Sequence, residues 1–318
     1  MTVEPRIIKV PQGQIDFQDD TFQLSPELHP KLNNTTRESI KRVGILTPPI
    51  LKELEPRFFQ IVTGYKRLDF VFHELGNHAC WCLALPAETP VDVTLTYALE
   101  AICQHRQPTP VEKAHFFNKI LVSIDEKEAA HRFLPYFSLQ PNPAHIHAAL
   151  KLLQLEEPLL MALHAGFLDE NTANFLAGLP FTDRMALFEL IDYLNLSISN
   201  QRKLVQTCNE LAKRANSSIL SVLSTTDIKE IISHTQANPP QKTAKLMMHL
   251  QELQLPRLSQ SEREFRQFAH SMNLNKGVTV QHSPAFEKDE VTISIQLPDR
   301  DKLTNFWPAL KDLLASLQ

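Results

Sequence analysis

The first hundred residues alternate apolar and polar positions in short runs. Beyond them, apolar residues recur three and four apart, and alternation returns only near the C-terminus. In the first region "RIIKV", "GQIDF", "PPILKEL", "FFQIVTG" and "CWCLALP" read as strands. "KLNNTTRESIKRVG" and "YKRLDFVFHELG" read as helices that stop at Gly44 and Gly76, where a glycine cap is favoured. This predicts a small α/β domain over residues 1–108.

Thr109 and Pro110 open the first of a series of short helices, beginning "TPVEKAHFFNKILVSI" and running to "NQRKLVQTCNELAKR". The expected unit is an all-helical middle domain, residues 109–215. "TTDIKEIISHT" and "QKTAKLMMHLQELQ" continue as a helical linker region, 216–258, with "ANPP" between them as a linker. In "SQSEREFRQFAHSMNL", Ser259 and Glu262 have the spacing of a capping box. Two strands follow, "GVTVQH" and "EVTISIQL", and in the second Val291, Ile293, Ile295 and Leu297 alternate with Thr292, Ser294 and Gln296, predicting one buried face. A last helix repeats Leu303, Leu310 and Leu317, with Phe306 and Leu313 between them. The C-terminal helix, hairpin and helix, 259–318, make a small core alone, so self-association is expected there. The fold class is therefore α+β and predominantly helical.

Composition narrows the classes. Seven glycines against 22 prolines, with 43% hydrophobic residues, suit helices joined by stiff connections. A net charge of -4 supplies no overall basic field, so contact with nucleic acid needs a local patch. No apolar run approaches a membrane span, and Met1–Pro11 has no signal-peptide core, so no membrane partner and a cytoplasmic location are expected. Cys80, Cys82, Cys103 and Cys208 form no CxxC pair and are read as reduced. Alternation would put His78, Cys80 and Cys82 of "HACWC" on one face, but neighbours on one strand rarely converge on one ion. His73 and His78 of "HELGNH" lie five apart, which is not a zincin helix, and no metal site is expected.

The chemistry most in need of an explanation is "IVTGYKRLDFVFHEL". Lys66 and Arg67 follow Gly64 where a strand turns into a helix. Cations at a helix start are slightly unfavourable unless solvated or facing an anion. Either a phosphate-sized ligand binds there or Gly64 makes a turn and both side chains stand in water.

Taken in order, "ESIKRVGILTPPIL", "FFQIVTGYKRLDFVFHELG" and "QHRQPTPVEKA" resemble the N-terminal domain of the ParB family, within the ParB/sulfiredoxin superfamily. "AALKLLQLEEPLLMALHAGFLDENTANFLAGL" is similar to the leucine-rich helices of the family's helix-turn-helix domain, so the resemblance covers roughly residues 5–210. It implies that a G-x-x-R loop grips the triphosphate of CTP and that binding closes a homodimer into a clamp around DNA. Gly64 and Arg67 match that loop, Lys66 keeps a positive charge, Tyr65 replaces an acidic residue, and Thr47 and Pro48 occupy the pocket-forming turn. Sulfiredoxin's catalytic cysteine has no counterpart here. The family's Glu-Asn pair, used for hydrolysis and for magnesium, falls on Ala101 and Ile102; a one-residue insertion would bring Glu100 into the first place as a catalytic candidate. Neither Ala nor Ile offers the hard oxygen that magnesium needs, so the expectation is CTP binding with hydrolysis weak or lost.

For DNA, the expected readers are Gln140, Asn142, His145 and His147 in "QPNPAHIH", with Arg202 and Lys203 available to a backbone. From Pro135 to Asn200 the only cations are Lys151 and Arg184, against seven acidic residues, a surface that should repel phosphates. Pro143 stands where the family favours Arg, and a proline-stiffened helix start with polar caps is the competing reading of that segment. Three functions follow. The first is a DNA-associated, CTP-responsive partition or regulatory protein, nucleoid-associated when on DNA, with a partition ATPase as the partner that the resemblance implies. The second is a derived adaptor that acts through protein–protein contacts without DNA. The third is an enzyme using the α/β pocket for phosphoryl chemistry.

Overall fold

The computed structural model describes residues 4–26, 32–55, 57–273 and 277–315. The chain divides into two compact units, Met1–Ile191 with Leu196–Arg202, and Asp192–Asn195 with Lys203–Gln318.

The first unit opens on β1 (Arg6–Pro11) and β2 (Ile15–Asp16), followed by α1 (Asn34–Val43), β3 (Ile50–Glu55) and β4 (Phe58–Thr63). Next come α2 (Tyr65–Asp69), continued by a wide turn of π-helix over Phe70–Glu74, then β5 (Ala79–Leu85) and α3 (Val91–Cys103). The strands form one mixed sheet in the order β1-β5-β3-β4-β2. β3 runs parallel to β5 and antiparallel to β4. Period-two alternation works as expected in β5, where Cys80, Cys82 and Ala84 are buried and Trp81 is exposed. One face of the sheet packs Leu51, Phe59, Ile61, Cys80 and Cys82 against Leu68 and Phe72. His78 stands exposed just before β5, the Cys80 and Cys82 thiols are buried, and all four cysteines are free.

The helices α4 (Pro110–Ile120), α5 (Glu126–Phe133), α6 (Pro143–Leu152), α7 (Glu157–His164) and α8 (Glu170–Leu176) follow, then α9 (Phe181–Tyr193) and α10 (Ile198–Arg214). α4 starts on a complete capping box between Thr109 and Glu112 with Pro110 at its first position. The other face of the sheet, through Val62 and Leu85, shares one core with Leu95 and Leu99 of α3, Phe116 and Phe117 of α4 and Ile146 of α6. This core draws on residues from both sides of residue 108. Phe116 lies edge-on to Phe117 and Phe133, with ring centroids 5.5 and 4.9 Å away.

Two elements depart from the sequence expectation here. "GQIDF" yields only the two-residue β2, because Gln12–Gln14 form a 3-10 turn. α3 was not expected. Its β-branched residues favour strands, but Thr94 and Thr96 donate their hydroxyls to the carbonyls of Pro90 and Asp92 four residues back, at 3.0 and 2.8 Å.

The second unit holds α11 (Ile219–Leu223), α12 (Thr226–Ser233), α13 (Pro239–Gln254), α14 (Pro256–Ser271), β6 (Val278–His282), β7 (Val291–Ile295) and α15 (Arg300–Ala315). "ANPP" is a helix start, not a linker: Asn238 caps α13 in a box with Gln241, and Pro239 holds its first position. Ser259 and Glu262 do not form a capping box. α14 begins earlier, at Pro256, which leaves Ser259 buried inside the helix with its N–H donated to the Leu255 carbonyl. The expected buried face of β7 is absent, since Val291, Ile293 and Ile295 are 54%, 60% and 38% exposed. β7 pairs with β6 alone, and a two-stranded ribbon offers no third layer to cover it. Leu303, Phe306 and Trp307 of α15 are also exposed; the side chains of Leu310 and Leu313, and Leu317 altogether, lie outside the described residues. Among the described residues no helix is long and apolar enough to cross a membrane.

Candidate functional site

β4 ends at Gly64, whose backbone is left-handed at φ 86 and ψ 17. A Cβ there would lie 2.8 Å from the Pro49 Cβ and 3.0 Å from its Cα, so the position demands glycine for conformation and for room. The loop is thereby seated on the Thr47-Pro48-Pro49 turn. Arg67, half-buried in α2, ties the two together by donating from Nη1 to the Thr47 carbonyl oxygen. Burial pulls its guanidinium below the ordinary arginine value, while the nearby Cys80 and Cys82 thiols act in the opposite direction. The N–H groups of Arg67 and Leu68 both return to the Gly64 carbonyl, which commits two of the donors that follow the glycine. Tyr65 donates its hydroxyl to the Phe17 carbonyl at 2.6 Å, and Lys66 is exposed.

These residues line a cavity of about 650 Å³ together with α3. All six residues expected from the loop and the turn border it: Thr47, Pro48, Gly64, Tyr65, Lys66 and Arg67. So do Glu100, the catalytic candidate, and Ala101 and Ile102, on which the resemblance places the Glu-Asn pair. Glu100 accepts a 2.8 Å hydrogen bond from Tyr136, which raises the tyrosine hydroxyl above its usual value. Sequence reasoning missed Thr36 and Ser39 of α1, and Gln104 and His105 at the end of α3, all of which border the same space. A signal existed for α1, where Thr36, Ser39 and Ile40 recur at helical spacing on one side.

An ion pair between the exposed Arg106 and the buried Glu112 borders the cavity where α3 meets α4. Arg106 grips Glu112 with two hydrogen bonds, of 2.7 and 2.5 Å, and the Thr109 N–H adds a third at 2.8 Å. Burial pushes the Glu112 carboxyl up, but Arg106 and the Thr109 amide outweigh it and leave the group below the ordinary glutamate range.

The residues expected to read DNA are arranged differently. Asn142 caps α6, accepting the Ala144 N–H at 3.0 Å, and Gln140 precedes it with its carbonyl bonded to the Asn142 N–H at 2.7 Å. His147 pairs with the Glu126 carboxylate, and His145 is half-buried beside the buried Ile146. Arg202 chelates Asp169, the cap of α8, at 2.8 and 2.6 Å. Lys203 is exposed. Arg184, one of the two cations of the acidic stretch, holds Glu156.

No family model matches the chain, and no curated protein sequence matches it. Among solved structures it is similar to the C-terminally truncated chromosome-partitioning protein ParB from Caulobacter crescentus complexed to the centromeric parS site, with 17% identity over 63% of this chain and 98% of that one and a TM-score of 0.33. It is similar to the same truncated ParB complexed with CTP-gamma-S, with 18% identity over 59% of this chain and 99% of that one and a TM-score of 0.24. A Pnob8-like ParB-N domain is similar at 15% identity over 83% of this chain and 98% of that one, with a TM-score of 0.39.

Proposed function

We propose that this chain is a ParB-like, DNA-associated partition or regulatory protein whose N-terminal cavity takes a nucleotide, CTP in the first instance, and releases it largely unhydrolysed. The observation that carries this reading is convergence: the Thr47-Pro48 turn, the Gly64–Arg67 loop and the Glu100–Ile102 segment, far apart in sequence, border one cavity. Its volume of about 650 Å³ suits a ligand of nucleotide size. Arg67 and Lys66 supply positive charge for phosphates, and Gly64 lets the backbone approach them without a side chain in the way. Ala101 and Ile102 carry no group able to move a proton, and Glu100 is engaged by Tyr136, so binding outlasts turnover. Calorimetry with CTP, UTP, ATP and GTP, with and without duplex DNA, tests the reading. Arg67→Ala should lose about 2 to 3 kcal/mol of CTP affinity, the scale of a lost charge-assisted hydrogen bond. Equal, poor binding of all four nucleotides by wild type and variant would return the two cations to solvent, and fast CTP hydrolysis would overturn the placing of the Glu-Asn pair on Ala101 and Ile102.

DNA contact is weak and largely insensitive to sequence in this reading, and the chain works as a homodimer joined through the exposed apolar row Val291, Ile293 and Ile295 with Leu303 and Trp307. A full-length chain that sediments as a monomer at micromolar concentration would remove the second point. The adaptor without DNA is favoured by one specific observation, that Asn142, His147 and Arg202 already have protein partners. Retention on duplex DNA as a function of salt separates the two, because phosphate contacts alone give a steep slope.

A further inference from the structure

The cavity's carboxylates point to how a nucleotide would be held there. Magnesium bound with a nucleotide is carried by one or two carboxylates with oxygens to spare, plus phosphates and water. Among the described residues three carboxylates border this cavity: Asp19, Glu100 and Glu112. Asp19 accepts the Gln60 amide on one oxygen, at 2.5 Å, and the Thr21 N–H on the other, at 2.8 Å. Both oxygens of Glu112 are taken by Arg106, and one of them also by Thr109. Glu100 gives one oxygen to Tyr136, and the two residues after it, Ala101 and Ile102, have none to add. Among the described residues no three His, Cys, Asp or Glu side chains converge on a point that could hold a metal. The donor set therefore offers magnesium no more than a single uncommitted carboxylate oxygen, on Glu100, whereas two cations, Lys66 and Arg67, border the same cavity.

We propose that the cavity binds its nucleotide without a divalent cation and that Lys66 does the charge-neutralising work a metal would otherwise do. This rests on the nucleotide reading above and deepens it. A triphosphate free of metal carries more negative charge than its magnesium complex, so the two cations favour the free form. Lys66 is exposed while Arg67 is half-buried and already donates to Thr47, which leaves Lys66 the freer of the two to follow the phosphates.

The test is calorimetric titration of CTP into the full-length protein, once in magnesium and once in excess chelator. The expected result is an affinity in chelator equal to or higher than in magnesium. Lys66→Ala should weaken binding about tenfold in both buffers and Lys66→Arg should restore it, with the thermal midpoint of each variant unchanged because the side chain is exposed. Binding that is tenfold or more tighter in magnesium overturns the inference and leaves the nucleotide reading standing. An unchanged affinity in Lys66→Ala overturns the role given to Lys66. No CTP binding in either buffer overturns the nucleotide reading itself and this inference with it.

Discussion

The cavity and the start of α6 stand in the same unit and were both expected to bind a polyanion, yet their polar side chains find partners by different routes. Around the cavity, the contributing residues come from segments tens of residues apart, and Lys66 faces solvent from the loop. At α6 the polar residues are close in sequence and are largely consumed where they stand: Asn142 by its own helix and His147 by Glu126. A short polar side chain beside a helix start finds a backbone N–H before it finds a ligand. Groups brought together by tertiary structure instead find partners on distant segments, as Arg67 does on Thr47, Tyr65 on Phe17 and Glu100 on Tyr136, and Lys66 stays exposed. Residue type and order thus point to the two sites equally, and the hydrogen-bond inventory separates them.

The largest expected effect tests whether the two regions rise and fall together. Phe116 is fully buried in the core that joins the sheet, α3 and α6, and it touches Phe117 and Phe133. Phe116→Ala should cost about 3 to 5 kcal/mol of stability, the range for deleting a buried aromatic ring. Fluorescence of Trp81 in β5, read in a Trp307→Phe background, and helical circular dichroism should fall in one transition. Two separate transitions would mean that the cavity and α6 belong to independent cores.

A smaller effect sharpens the electrostatic side. Breaking the Arg106–Glu112 pair with Glu112→Gln should cost about 2 kcal/mol, less than for a fully buried pair because Arg106 is half exposed to water. The sign of its pH dependence follows from the depressed carboxyl. Its stabilisation is fully present above the ordinary glutamate range and is lost as pH falls through the lower, folded-state value. Wild type should therefore lose stability through that acid window faster than Glu112→Gln. Parallel acid limbs in chemical denaturation would show that the pair is not what holds the floor of the cavity.

Much of this arrangement was legible in the sequence, and the exceptions have physical reasons. β4, Gly64 and the two cations after it are local features, and so is the Thr109 box. α3 was hidden because Val91, Val93, Thr94 and Thr96 look like a strand until the threonine hydroxyls turn back onto their own helix. Pro239 and Pro240 look like a linker, but one step after the Asn238 cap they are compatible with the first turn of α13. Ser259 has the spacing of a cap but was outcompeted by Pro256, three residues earlier. Alternation in β7 marks a face able to be buried and says nothing of whether anything covers it. In the site, the contributions of α1 and of the end of α3 depend on long-range packing, which has no local signature.

The smallest effect bears most directly on the comparison. As a cap, Asn142 holds the Ala144 N–H, and Asn142→Ala should destabilise the protein by about 1 kcal/mol while leaving its retention on duplex DNA, at any salt, where it was. Asn142→Asp should keep the cap, since aspartate serves that position as well as asparagine does, and its negative charge suits the positive end of α6. A base-reading Asn142 would behave in the reverse manner. Both variants would then lose preference for one sequence over another, and the aspartate would do worse because it sets a charge against phosphates. Melting curves beside competition binding on two unrelated duplexes decide between them. A lowered midpoint in Asn142→Ala alone, with no change in duplex preference for either variant, keeps α6 a structural helix; lost preference in Asn142→Asp at full stability makes it a reading helix and erases the contrast with the cavity.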